Sequence, residues 1–262
     1  MDQTEAARAV LIEVSQILGA FKDNIVIVGG WVPDLWYSDK NHVGSLDVDL
    51  AVSPEARGSD AYSTILGRLK EKGYSHAIQP TRFLRIVEGV SEPIKIDFIS
   101  GQYVNDEKKD KVIVDELGLN TLRGIDLAFE MNEEIAIEGI MPDGSHNIVH
   151  PRIVRPEAFI LIKAFALADR MKPKDAYDIA FVLHHYEPEI SVLASYLQPI
   201  IRDGLGAEAL QILIEKFATL ESVGPTWAGN VAEENGINRD QSLQAAFQDA
   251  QTLFNEIEKL ID

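Results

Sequence analysis

The chain contains no cysteine, which excludes disulfide frameworks, thiolate metal sites and thiol redox chemistry. It also lacks a long apolar run. No stretch approaches the ~20 residues needed to span a bilayer. Residues 1–20 alternate charge with apolar side chains and so do not read as a signal peptide. Cations are scarce: 24 Lys and Arg stand against 42 Asp and Glu, a formal charge of −18. Such a chain repels polyanions at long range and attracts cationic partners. The sequence has neither Gly-x-x-x-x-Gly-Lys-Ser/Thr nor Gly-x-Ser-x-Gly, so P-loop NTPase and α/β-hydrolase readings find no support. His42, His76, His146, His150, His184 and His185 show no metal-ligand spacing, and surface or turn roles are expected for the isolated ones. At 262 residues the chain suits one large domain or two modest ones. A soluble protein in the cytoplasm is the expectation.

What is present is an unusual strand. Leu46-Asp47-Val48-Asp49-Leu50-Ala51-Val52 places two aspartates one residue apart in an apolar run. Residues two apart on a strand share a face, so both carboxylates point one way, with Leu46, Val48 and Leu50 expected on the other. Adjacent carboxylates repel unless neutralised, and a hard divalent cation such as Mg²⁺ does this. A half-exposed edge strand would give the same pattern, so the pair alone decides nothing. Upstream, Ile25-Val26-Ile27-Val28 ends in Gly29-Gly30, which opens a short helix, Trp31–Trp36, with Pro33 in its first turn. A glycine turn lets backbone approach a phosphate closely. Downstream, Ile94-Lys95-Ile96-Asp97-Phe98-Ile99 is a further alternating strand with a third acid. The three parts together are far more specific than any one.

Elsewhere the chain separates into a mixed part and a helical part. An amphipathic helix is expected over Thr4–Phe21, with Val10, Leu11, Val14, Ile17 and Leu18 on one side. A second helix is expected over Ser59–Lys72, closed by Gly73. Thr81–Val87 and Pro93–Ser100 read as a hairpin, and Glu134–Met141 with Asn147–Ile153 as another strand pair. From Pro156 the pattern is helical, and Val223–Asn230 is the clearest loop. The expected fold is thus a mixed-sheet α/β (α+β) domain over residues 1–154, then a mostly helical domain over 155–262.

The Gly-Gly turn, the Asp-x-Asp strand and the later single acid resemble the nucleotidyltransferase superfamily, with its polymerase β-like palm. Gly29, Gly30, Asp47, Asp49 and Asp97 match that pattern position by position. A second block, Arg155–Arg170 followed by Lys172-Pro173-Lys174-Asp175-Ala176-Tyr177-Asp178-Ile179, is similar to the Lys…Arg…Lys-Asp-x-x-Asp-Ile signature of the AbiEii/AbiGii toxins. The Gly-Gly-Trp-x-x-Asp-Leu string also resembles the opening of aminoglycoside and lincosamide nucleotidyltransferases. Where many relatives carry a basic residue and a Thr before the Asp pair, this chain has Val43 and Ser45, and only the hydroxyl is kept.

The resemblance implies metal-dependent transfer of a nucleoside monophosphate from an NTP to an acceptor hydroxyl. Asp47, Asp49 and Asp97 would be the metal and catalytic acids of a two-Mg²⁺ site. Gly29, Gly30 and Ser45 would line the nucleotide, and Lys163 with Arg170, two turns apart, would clamp phosphate. Asp175 and Asp178 both remain candidates for a further functional acid, Asp178 lying deeper in its helix. The implied acceptor is RNA, with tRNA favoured because characterised toxins of this group add nucleotides to tRNA 3′ ends; an antitoxin is an implied partner. The charge of −18 keeps a small cationic acceptor of the antibiotic type open. So does a catalytically silent nucleotide-binding regulator on the same scaffold.

Overall fold

A computed structural model describes residues 1–53, 60–78, 81–101, 103–104, 107–108, 111–114, 117–202 and 204–261. Its contacts divide the chain into two units. The first comprises Met1–Leu35 and Gly44–Arg155, the second Trp36–Val43 and Pro156–Asp262. Residues 36–43, which fall within the 1–154 span expected from the sequence, therefore group with the helical unit.

The first unit begins with α1 (Gln3–Ile17). Asp2 accepts from the Glu5 amide and the Glu5 carboxylate from the Asp2 amide, both at 2.8 Å, a reciprocal cap for two otherwise unpaired donors. The helix ends short of Phe21, where periodicity had carried it. Gly19 follows the Leu18 cap, and the chain tightens into a 3₁₀ stretch, Gly19–Asn24. Then come β1 (Ile25–Val28), α2 (Val32–Trp36), β2 (Asp47–Val52), α3 (Asp60–Glu71), β3 (Ser75–His76), β4 (Arg82–Arg85) and β5 (Ile94–Gly101). Ser59, the expected start of α3, lies outside the described residues. The short β6 (Tyr103–Val104) and β7 (Glu107–Lys108) pair together, and β8 (Lys111–Val114) and β9 (Leu117–Leu122) follow. The unit closes with α4 (Leu127–Glu130), β10 (Asn132–Glu134), β11 (Ile137–Ile140), β12 (His146–Val149) and β13 (Arg152–Val154).

The main sheet is mixed, in the order β10-β13-β1-β2-β5-β4-β3, with β9 also beside β5 and β8 beside β9. β2 is central: it runs antiparallel to β1 and parallel to β5. Its Val48, Leu50, Ala51 and Val52 join Val26, Ile96 and Phe98 in the core. The expected β4–β5 hairpin pairing is present. The other expected pair is shorter than read, β11 with β12 only. Pro151, which has no N–H to donate, interrupts the second run, and β10 and β13 join the main sheet instead.

The second unit holds α5 (Pro156–Arg170), α6 (Pro173–His185), α7 (Ile190–Leu197), α8 (Gly204–Lys216), α9 (Val223–Glu234) and α10 (Arg239–Ile261). The loop expected at Val223–Asn230 is instead the start of α9. Pro225 falls in its first turn, where a missing N–H costs nothing. Its glycines serve packing: a Cβ on Gly224 would lie 2.7 Å from the Phe217 ring, and one on Gly229 3.0 Å from the Arg239 carbonyl. Among the described residues, no helix is long and apolar enough to cross a membrane.

Candidate active site

The β1–β2 register sets Val28 opposite Asp49, so the chain turns out of the sheet at Gly29 beside that carboxylate. Gly29 has φ +74°, a left-handed conformation that glycine adopts freely. A Cβ built there would lie 2.0 Å from Asp49 Oδ2. Only glycine meets both demands, and the two sequence motifs abut at this point.

Along β2, Val48 and Leu50 are buried while Asp47 and Asp49 are half-buried on the opposite face. Leu46 does not line the apolar face as expected and is 52% exposed. The strand begins only at Asp47; before it, the Ser45 hydroxyl donates to the Asp47 carbonyl at 3.1 Å, turning the chain into β2. On the parallel neighbour β5, Lys95 pairs in register with Asp47 and Asp97 with Asp49. Residues in register share a face and lie about 4.8 Å apart between strands, so the sheet gathers the three acids into one patch.

Two cations already sit in that patch. Arg82, opposite Asp97 on β4, donates from Nε to Asp97 Oδ1 at 2.8 Å and from Nη2 to Oδ2 at 2.6 Å. The hydrogen bond to Asp97 raises the guanidinium pKa above its usual value, and the charges of Asp97, Asp47 and Asp49 add to this. Lys95 Nζ stands 3.7 Å from Asp47 Oδ1. Asp47 and Asp49 carry hard oxygen donors of the kind that suits Mg²⁺; both oxygens of Asp97 accept from Arg82. Among the described residues, no group of three His, Cys, Asp or Glu is arranged to hold a metal ion.

The other predicted residues form a separate cluster in the helical unit. Lys163 on α5, expected to clamp phosphate with Arg170, is buried. Its Nζ donates to Asp175 Oδ1 and Asp178 Oδ2, both at 2.7 Å. Arg170 grips Asp175 with Nε and Nη2 at 2.7 and 2.6 Å, and Lys174 reaches Asp178 Oδ1 at 2.8 Å. Burial alone would raise the Asp178 carboxyl, but Lys163, then Lys174 and His42, outweigh it and hold the group well below the carboxylate range. Asp175 is lowered in the same way, against its own burial, by Lys163 and Arg170. Burial would lower Lys163, yet Asp178 and Asp175 prevail and raise it. Three cations face two carboxylates, so the cluster is locally positive within an acidic chain.

His42 was expected at a surface or turn. Instead its side chain is fully buried, with Nε2 3.0 Å from Asp178 Oδ1. A carboxylate only accepts, so Nε2 carries the hydrogen. The ring packs edge-on against Phe181 at 4.7 Å and tilted over Tyr177 at 5.5 Å. No local signal could have shown this, because the partner lies 136 positions away. The Arg82–Asp97 pair leaves a clearer trace: both residues lie in the expected hairpin, whose register sets them opposite each other.

A solved structure from H. pylori, described as a provisionally assigned nucleotidyltransferase, is 17% identical, covers 97% of each chain and superposes with a TM-score of 0.47. No curated protein is detectably similar to the chain. The family model described as "Nucleotidyl transferase AbiEii toxin, Type IV TA system" matches residues 16–250. With most of its length matched, this chain belongs to the AbiEii family of nucleotidyltransferase toxins.

Proposed function

We propose that this nucleotidyltransferase moves a nucleoside monophosphate from an NTP to a hydroxyl of an RNA acceptor, tRNA being favoured, with release of pyrophosphate. The observation that carries the reading is the packing of Asp49 against Gly29, which sets the carboxylate pair beside the glycine turn. Asp47 and Asp49 would hold Mg²⁺, and Asp97 would join them or take the acceptor's proton. The bound ions would stabilise the attacking and leaving oxygens. Gly29 and Gly30 keep side chains away from the triphosphate, while Ser45 holds the turn that aims Asp47.

In the helical unit, Lys163 fixes Asp175 and Asp178, and these in turn orient Arg170 and Lys174. The latter two side chains are 46% and 38% exposed, so they present positive charge to a phosphate while Lys163 stays inside. Local cations of this kind support a polyanionic acceptor despite the net charge. A small cationic acceptor is the second reading, favoured by the charge of −18 and by Arg85 being spent on Glu13 at 2.8 and 3.0 Å. An antitoxin partner follows from the family's type IV toxin–antitoxin description.

Incubation with each α-labelled NTP, Mg²⁺ and either total tRNA or an aminoglycoside and lincosamide panel separates the readings. Label on tRNA supports the proposal. Label on an antibiotic alone replaces the acceptor, and label on neither supports the silent regulator.

A further inference from the structure

Asp97 occupies an odd position for a metal ligand, because its two oxygens already accept from one guanidinium. A cation can coordinate Asp97 only if Arg82 withdraws. The two partners are unequal: the Asp97 side chain is 10% exposed and that of Arg82 27%, so the arginine is the partner with an outward path. Arg82 also feels Asp47 and Asp49 as well as Asp97, and it shares the acidic patch with Lys95. Lys95 Nζ, 3.7 Å from Asp47 Oδ1, is an ion-pair partner beyond hydrogen-bond distance.

We infer that Arg82 is an exchangeable counter-ion. It neutralises Asp97 before metal loading, is released when a divalent ion takes that carboxylate, and then binds a phosphate oxygen of the NTP. The guanidinium fork suits carboxylate and phosphate equally well. The same donors cannot serve both, so metal and triphosphate favour each other's binding, and the coupling is reciprocal. This rests on reading the three acids as metal ligands.

The test uses the full chain with Mn²⁺ alone, titrated by the EPR signal of the free ion, and then with a non-hydrolysable NTP analogue at saturating Mn²⁺. Arg82→Gln should bind Mn²⁺ about tenfold more tightly, the effect of losing one charge-assisted competitor, yet bind the analogue more weakly. Arg82→Lys keeps the charge but not the fork, and should show part of the Mn²⁺ gain. A merely structural arginine would weaken both ligands together, and that result overturns the inference. So does a Mn²⁺ gain in Arg82→Gln with Arg82→Lys identical to wild type, which would reduce Arg82 to background charge. Unchanged analogue affinity in Arg82→Gln removes the phosphate role. If wild type binds Mn²⁺ no better than Asp47→Asn, the metal reading itself fails and this inference falls with it.

Discussion

The Asp49 carboxylate occupies the space that a side chain on Gly29 would fill, its Oδ2 lying 2.0 Å from where that Cβ would stand. The first prediction follows from this. Gly29→Ala forces a left-handed residue, at about 1–2 kcal/mol, and also displaces Asp49. Gly89 is the control: it too has positive φ, +79°, but has open space around it. Both alanine variants should lose a few degrees of thermal midpoint by circular dichroism. Only Gly29→Ala should also lose nucleotidyl transfer, and equal activity in the two would remove Gly29 from the site.

Lys163 and Asp178 set the pH response of the helical unit. The folded Asp178 carboxyl titrates below its unfolded value, about 3.9. Its stabilising contribution is therefore complete above about pH 5 and is lost as pH falls toward the folded value. Lys163 is raised, so its contribution is complete below about pH 10 and drains away at more alkaline pH. Asp178→Asn leaves buried lysine charge undercompensated and should cost about 3–5 kcal/mol near neutrality. Urea unfolding should show a constant gap between wild type and variant from about pH 5 to 9, narrowing in acid. A gap that widens in acid contradicts the assignment.

His42 ties residues 36–43 to α6 through its bond to Asp178 and its packing on Phe181. His42→Ala removes a buried hydrogen bond and opens a cavity, together worth about 2–4 kcal/mol. Amide exchange should accelerate in residues 36–43 before it does so in β1 or β2. Uniform acceleration over the whole chain would show that His42 supports global stability rather than that segment.

Much of the acidic patch is legible in the sequence because it depends on short-range rules. Alternation within β2 put Asp47 and Asp49 on one face, and alternation in β5 marked Asp97 as an acid among core residues. The Arg82–Asp97 pair depended on hairpin register, which strand boundaries alone do not set. His42 and Asp178 meet across 136 positions, a distance at which no periodicity carries information. The glycines of α9 misled because glycine marks turns and close helix packing alike, and here Phe217 and Arg239 decide for packing. The short strand β9 and the one-turn helix α4 carry no repeat long enough to read.

The most direct measurement of the central claim is transfer of label from α-labelled NTP to RNA by wild type, Asp47→Asn and Asp49→Asn, each shown to be folded by circular dichroism. Both substitutions keep the side-chain size and remove one negative charge from the half-buried face of β2. Wild type should label RNA in a Mg²⁺-dependent manner, and each variant should lose roughly a hundredfold or more of that rate. Folded variants that label RNA as fast as wild type would contradict the claim.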